Sequence, residues 1–251
     1  MTYGGYAEFV EVPSKHVLPV PRSDPQVVAL LTSGLTASIA LEKAAQMERG
    51  KVILVTAAAG GTGQFAVQLA KIAGNHVVAT CGGEEKARLL KHLGVDRVID
   101  YKREDIKSVL KQEYPKGIDV IYESVGGQMF DLCLNALAVH GRLIVIGMIS
   151  QYQGEKGWSP SSYTGLCEKI LAKSQTVSGF FLIQHAYLYR QHLEKLYDLY
   201  STGKLKVSID PRKFVGVESV ADAVEYLHSG KSVGKVVVSI DPDAAMQMAK
   251  L

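Results

Sequence analysis

The stretch KVILVTAAAGGTGQFAVQLA, residues 51–70, constrains this chain more than any other part of it. An apolar run ends, glycines follow, and a helical pattern begins at once. Gly60, Gly61 and Gly63 let the backbone turn tightly and approach a pyrophosphate with no Cβ in the way. The helix start beyond them offers unpaired N–H groups and a partial positive charge. The spacing is Ala57-x-x-Gly60-x-x-Gly63, not strict G-x-G-x-x-G, so the glycines alone say little. In strand–turn–helix context they point to a dinucleotide site, with an ordinary glycine-rich βα loop as the alternative.

The alternation continues. Strands are predicted at 51–56, 76–81, 96–101, 118–124, 141–147 and 175–182. Helices are predicted at 27–47, 62–74, 84–94, 104–113, 127–138, 164–173 and 187–202, with Gly74 and Gly94 as stops. Such units make right-handed parallel βαβ crossovers. Six of them suit a doubly wound α/β sheet with its ligand crevice at the carboxyl ends of the strands. Two flanks break the pattern. Residues 1–21 are punctuated by Gly and Pro, and YAEFVEV alternates like a strand. Residues 205–240 read as strand, turn, helix over 218–229, glycine turn and strand. They are expected to return to the same small sheet as residues 1–21, because a lone strand buries no face. The division is 1–21, then 22–204 for the dinucleotide, then 205–251.

With 47% hydrophobic and 21% charged residues the chain can fill a core. The net charge of +3 is scattered, with no basic run of the kind that grips nucleic acid. Cys81, Cys133 and Cys167 form no C-x-x-C pair and are odd in number, which argues for a reducing compartment. No unbroken run of ~18 apolar residues and no charged-then-apolar leader is visible, so neither a membrane span nor a signal peptide is expected. The chain ends Ala249-Lys250-Leu251, close to the Ser-Lys-Leu address read by the peroxisomal import receptor. The expected location is the peroxisome. A chance match, with the cytoplasm as home, is the alternative.

The choice of dinucleotide rests on the end of the second strand. NAD enzymes place a carboxylate about 20 residues beyond the glycines, on the ribose 2′-hydroxyl. Here the strand ends Thr80-Cys81-Gly82-Gly83, small residues that leave room for a 2′-phosphate. Lys86 follows in the first helical turn with a charge to meet it. NADPH is therefore the expected cofactor. Glu84 and Glu85 are awkward neighbours. Either would serve as the missing acid one turn late, leaving Lys86 an ordinary solvated lysine.

AAAGGTGQFAVQLAK, GGEEKARLLKHLGVDRVIDY, GIDVIYESVGGQMF and GRLIVIGMISQY follow in that order. On these segments the chain resembles the medium-chain dehydrogenase/reductase superfamily, in its zinc-free, quinone oxidoreductase-like branch, nearest to the prostaglandin and leukotriene reductases. The resemblance implies a Rossmann domain at 22–204. It implies that 1–21 and 205–251 are remnants of a GroES-like β-barrel catalytic domain, most of which this sequence lacks. It also implies that Lys86 and Tyr101 hold the 2′-phosphate and that Thr62 faces the pyrophosphate. Ser124, Ile146, Tyr152, Phe180, Phe181 and Leu182 would lie towards the nicotinamide. Plainer alternatives stand beside these: Tyr101 a surface aromatic, Ile146 strand core, Ser124 a helix N-cap. Relatives carry an Asn before the final Gly-Lys strand; Ser232 or Val233 stands there, so that contact is not carried over. Zinc is not expected, because zinc dehydrogenases supply a cysteine where this chain has Ser33, and a four-cysteine cluster that it lacks. Members commonly dimerise through the sixth strand, near 175–182. Such an edge would join two copies or be covered within one chain.

The reaction the resemblance implies is NADPH-dependent reduction of the C=C bond of an α,β-unsaturated ketone, with lipid enones such as 15-oxoprostaglandins as substrates. Charge grows on the enolate oxygen and calls for a donor there. Tyr152 is the candidate catalytic residue, or else it only positions the cofactor. A quinone reductase and a non-catalytic NADPH-binding module are the competing readings. No Ser/His/Asp triad is recognisable, and cofactor chemistry needs none.

Overall fold

Successive residues of a strand point to opposite sides of a sheet, and here both sides are apolar. The computed structural model describes residues 5–152 and 163–241. Six parallel strands form its sheet: β1 Val52–Val55, β2 His76–Cys81, β3 Arg97–Asp100, β4 Ile118–Glu123, β5 Leu137–Val145 and β6 Thr176–Gly179. Their order is β3-β2-β1-β4-β5-β6. Ile53, Val55, Val77, Tyr122 and Ile144 face one core, and Leu54, Val78, Ile99, Ile121 and Leu143 the other. The helices Pro25–Ala44, Gly63–Ile72 and Tyr189–Ser201 cover the first face through Leu30, Phe65 and Leu196. The helices Ile106–Glu113 and Gln128–Ala136 cover the second through Leu110, Phe130 and Leu134. Burial on both faces is what permits near-continuous apolar strands. The α/β doubly wound sheet expected from the sequence is the fold. β5 begins at Leu137, ahead of the predicted 141, with a register shift between Ile118 and Val120 beside it.

The helix Pro25–Ala44 begins at Asp24, whose carboxylate accepts from the Val27 amide at 2.8 Å, with Pro25 in the first helical position. Two wide π turns, Leu30–Gly34 and Ala40–Ala44, interrupt it. By length and composition it is the one helix among the described residues that would reach across a membrane. A search for unbroken apolar runs misses it, because Thr, Ser, Gly and charged residues are interspersed. Leu30, Leu35, Ile39 and Leu41 on it are buried in the first core, the packing of a core helix.

The flanks depart from expectation. Residues 6–12 form no strand and are exposed along their length; no described strand lies beside them to pair their amides. Among the described residues the C-terminal segment forms no strand pairing with residues 5–21. It pairs β7 Phe214–Val215 with β8 Val238–Ser239, carries the helix Val220–His228, and docks on the glycine turn. Two buried glutamines of the helix Gly63–Ile72 hold it. Gln64 donates to the Ser208 carbonyl (2.9 Å) and accepts from the Ser208 amide (2.7 Å). Gln68 does the same for Lys206, at 2.9 and 2.8 Å. The side-chain amides thus stand in for a neighbouring strand. Residues 249–251, the expected import signal, lie outside the described residues.

Gln68→Ala leaves the Lys206 peptide groups unpaired. It is expected to cost about 1–3 kcal/mol in urea unfolding and to speed amide exchange at 206–208. Unchanged exchange there would show that something else holds the segment.

Candidate active site

β1 and β4 are neighbours, but the chain runs from β1 to β2 on one side and from β4 to β5 on the other. The loops at their carboxyl ends part, and a crevice opens between them. Residues 56–62 form one wall and residues 124–127 the other. The walls are tied at the floor. The Thr56 amide donates to the Tyr122 carbonyl at 3.0 Å. Its hydroxyl accepts from the Ser124 amide at 2.9 Å and donates to the Glu123 carboxylate at 3.3 Å. Glu123 is fully buried, and its oxygens accept from the Val125 amide at 2.7 Å and the Gly126 amide at 3.0 Å. Burial pushes its carboxyl above the usual carboxylate range, and these donors partly offset the push. Ser124 brings a buried hydroxyl to this floor with no protein partner. It is not the N-cap of the next helix; Gly127 is.

The glycines of the turn do different things. A Cβ on Gly63 would lie 2.7 Å from both the Ala57 carbonyl oxygen and the Ala58 Cα, so only glycine lets the helix come so close. A Cβ on Gly61 would meet the Lys235 Cδ at 3.0 Å and the Ser33 Oγ at 3.4 Å. Gly60 tightens the turn itself. Its amide turns inward to the Ala57 carbonyl (3.0 Å), and the residue bridges to Gly234, so it shapes the turn without offering a phosphate its N–H. The amides of Gly61, Thr62 and Gly63 donate to no backbone carbonyl among the described residues, and the Thr62 side chain caps nothing. These are the orphan donors of a helix start, and they fit a diphosphate.

The second corner lies at the end of β2. A Cβ on Gly82 would sit 2.6 Å from the Tyr101 Cζ, so the half-exposed ring rests on the glycine. The Lys102 ammonium lies 3.9 Å from where a Gly83 Cβ would be. Lys86 donates to the Gly230 carbonyl at 2.5 Å. Its pKa is lowered first by burial and then by the nearby Lys102 charge. Glu85 and Asp210 act on Lys86 by charge, whereas two other nearby carboxylates are engaged. Asp100 accepts from the Gly83 amide (2.8 Å) and the Lys102 amide (3.1 Å), and Glu84 pairs with Arg103 at 3.1 Å. Gly82 and Tyr101 therefore do come together, and Lys86 lies within charge range of Cys81 and Lys102 beside them. Lys102 joins them, and its only sequence signal is adjacency to Tyr101.

Past β5, the Tyr152 hydroxyl oxygen accepts from the Met148 amide at 3.0 Å, beside Gly147. The Ile146 amide donates to the Glu123 carbonyl at 2.7 Å. Phe180 is buried and stacks on His185 with ring centroids 4.7 Å apart. Ile146 and Leu182 pack against the same core, whereas Phe181 is 63% exposed and stands apart from it.

Residues 61–202 match the family model described as zinc-binding dehydrogenase. The chain belongs to that family, in its quinone oxidoreductase-like branch of the medium-chain dehydrogenases/reductases. It is 49% identical over 246 residues to prostaglandin reductase-3 of Mus musculus, covering 96% of this chain and 65% of that protein. It is 43% identical over 243 residues to a probable quinone oxidoreductase of Leishmania amazonensis, covering 96% of this chain and 72% of that protein. Escherichia coli quinone oxidoreductase, solved in complex with NADPH, superposes with a TM-score of 0.78 at 28% identity, covering 89% of this chain and 67% of that one. This member thus spans 65% of the length of its mouse relative.

The family's name implies zinc, and the donors here do not fit it. Among the described residues no three His, Cys, Asp or Glu side chains are grouped to hold a metal ion. Cys81 and Cys133 are buried. Burial pushes the Cys81 thiol up to about 11, as for a small core residue.

Glu123 gives a signed test. Its folded pKa is raised above the ordinary 4.5, so the folded chain holds this proton to higher pH than the unfolded chain does. Its contribution to stability therefore falls as pH rises through that interval. Urea unfolding of Glu123→Gln should show the variant gaining on the parent as pH rises above the ordinary 4.5. A pH-independent difference would contradict the buried, protonating carboxyl.

Proposed function

We propose that this chain binds NADPH between β1 and β4 and serves an enzyme that reduces the C=C bond of α,β-unsaturated ketones, with 15-oxoprostaglandins reduced at C13 as the substrate class. One observation carries the reading. Uncommitted amides at 61–63 lead to a corner where Gly82 and Tyr101 meet with Lys86 and Lys102 beside them, while Asp100 and Glu84 are bonded elsewhere.

The residues present fit the cofactor. Gly61, Thr62 and Gly63 would hold the diphosphate. Gly82 leaves the space, and Lys86, Lys102 and Tyr101 the charge and hydroxyl, for a 2′-phosphate. The orphan Ser124 hydroxyl and Ile146 would meet the nicotinamide half. NADPH bound there supplies a hydride to an electron-poor carbon. The chain's own task is to meet the charge that develops on the substrate oxygen. The Tyr152 oxygen accepts from the Met148 amide, which polarises its O–H for donation to that oxygen. The apolar ends of β5 and β6, at Ile146, Phe180 and Leu182, keep that side dry.

The likeness to mouse prostaglandin reductase-3 favours the enone reading. The likeness to the Leishmania protein favours a second one, a quinone reductase built on the same crevice. One experiment separates them: NADPH and NADH titrations with Lys86→Ala alongside, followed by NADPH oxidation with a 15-oxoprostaglandin and with a quinone. NADPH should bind the more tightly, Lys86→Ala should weaken it about tenfold or more without touching NADH, and the enone should turn over. Equal affinity for both cofactors would remove the 2′-phosphate reading. Turnover of the quinone alone would favour the second reading, and binding with no turnover a non-catalytic module.

For location we propose the peroxisome, with Ala249, Lys250 and Leu251 read by the import receptor. A fluorescent fusion that keeps this end should co-localise with a peroxisomal marker and become diffuse once Leu251 is removed. A diffuse signal from both forms would place the protein in the cytoplasm.

A further inference from the structure

A cavity of about 450 Å³ opens at the amino ends of β4 and β5, at the opposite end of the sheet from the crevice. That volume lies in the range of small-molecule sites. Its floor is apolar: Leu110 and Leu137 are buried, and Leu132 completes the surface. Its rim is cationic. Lys107 and Lys111 stand one turn apart on the helix Ile106–Glu113, hence on the same side of it. Lys116 lies on the loop before β4, and Lys173 follows the helix Leu166–Ala172 on the facing wall. All four are exposed. Among the described residues no carboxylate lies within 4.0 Å of any of them. Glu113, the acid on the same helix, is held by Arg97 at 2.8 Å. Lys173 donates to the Leu137 carbonyl at 3.1 Å, a partner that brings no counter-charge.

Four exposed cations thus ring an apolar floor, with no carboxylate among the described residues bonded to any of them. The geometry points to a site for a fatty carboxylate, with its head among the lysines and its aliphatic chain on the leucines. An inorganic anion leaves the floor unused, and a neutral lipid leaves the lysines unpaired. The site shares no residue with the cofactor crevice and stands whether or not NADPH binds.

Calorimetric titration of the whole chain with dodecanoate tests this. Dodecanoate should bind at one site below about 1 mM and at least about tenfold more tightly than dodecanol or inorganic phosphate. Lys107→Glu/Lys111→Glu should weaken it about tenfold or more with the melting temperature unchanged, and the milder Lys107→Gln/Lys111→Gln should act in the same direction. No binding, equal binding by these variants, or dodecanol or phosphate matching dodecanoate would overturn the proposal. So would a poly-glutamate peptide binding more tightly than dodecanoate, because the lysines would then mark an acidic macromolecular partner.

Discussion

The hydroxyl of Thr56 joins two strands whose chains then leave in opposite directions. It accepts from the Ser124 amide and donates to Glu123, and so sets the spacing between the turn that would carry phosphates and the turn that would carry the reacting ring. A carboxylate at this depth is tolerable only because two backbone amides and the hydroxyl satisfy it. Both walls of the crevice hang from this knot. A shift of the floor would misplace the glycine amides and the Ser124 hydroxyl together.

Much of the architecture is legible because it is written in short-range pattern. VILV, HVVATC and IDVIYE are mostly apolar and buried at nearly every position, as doubly covered strands are, and each is followed by a helical period. The grouping at the end of β2 is open to the same kind of reading, since Gly82, Lys86 and Tyr101 sit at short offsets from strand ends. What local pattern cannot carry is pairing. YAEFVEV has the alternation of a strand, but alternation supplies no neighbour, and the described chain places none beside it. The partners of Gln64 and Gln68 lie some 140 residues away, at Ser208 and Lys206, and nothing near the glutamines announces them. Gly60 fits the glycine pattern as well as Gly61 does; only the folded turn shows its amide directed inward.

Lys86 shows a related limit. The sequence places it just beyond the small residues that end β2, and its ammonium reaches the Gly230 carbonyl of the returning segment. The charge intended for a phosphate is thus held by a peptide oxygen that a 2′-phosphate would have to displace. Asp210 organises that segment from its other side, accepting from the Val233 amide at 2.7 Å and the Tyr226 hydroxyl at 3.2 Å.

The helix Gly63–Ile72 is occupied on two sides from its first turn. Its backbone N–H groups point one way, while Gln64 reaches the other way to clasp Ser208. A helix start normally frays, and a ligand that binds it must bear the cost of stilling it. Here the clasp stiffens the turn in advance. The donors are preorganised by a returning segment that clasps Gln64 and packs against Gly61 through Lys235, so that much of the ordering entropy falls on folding and is already met when a ligand arrives.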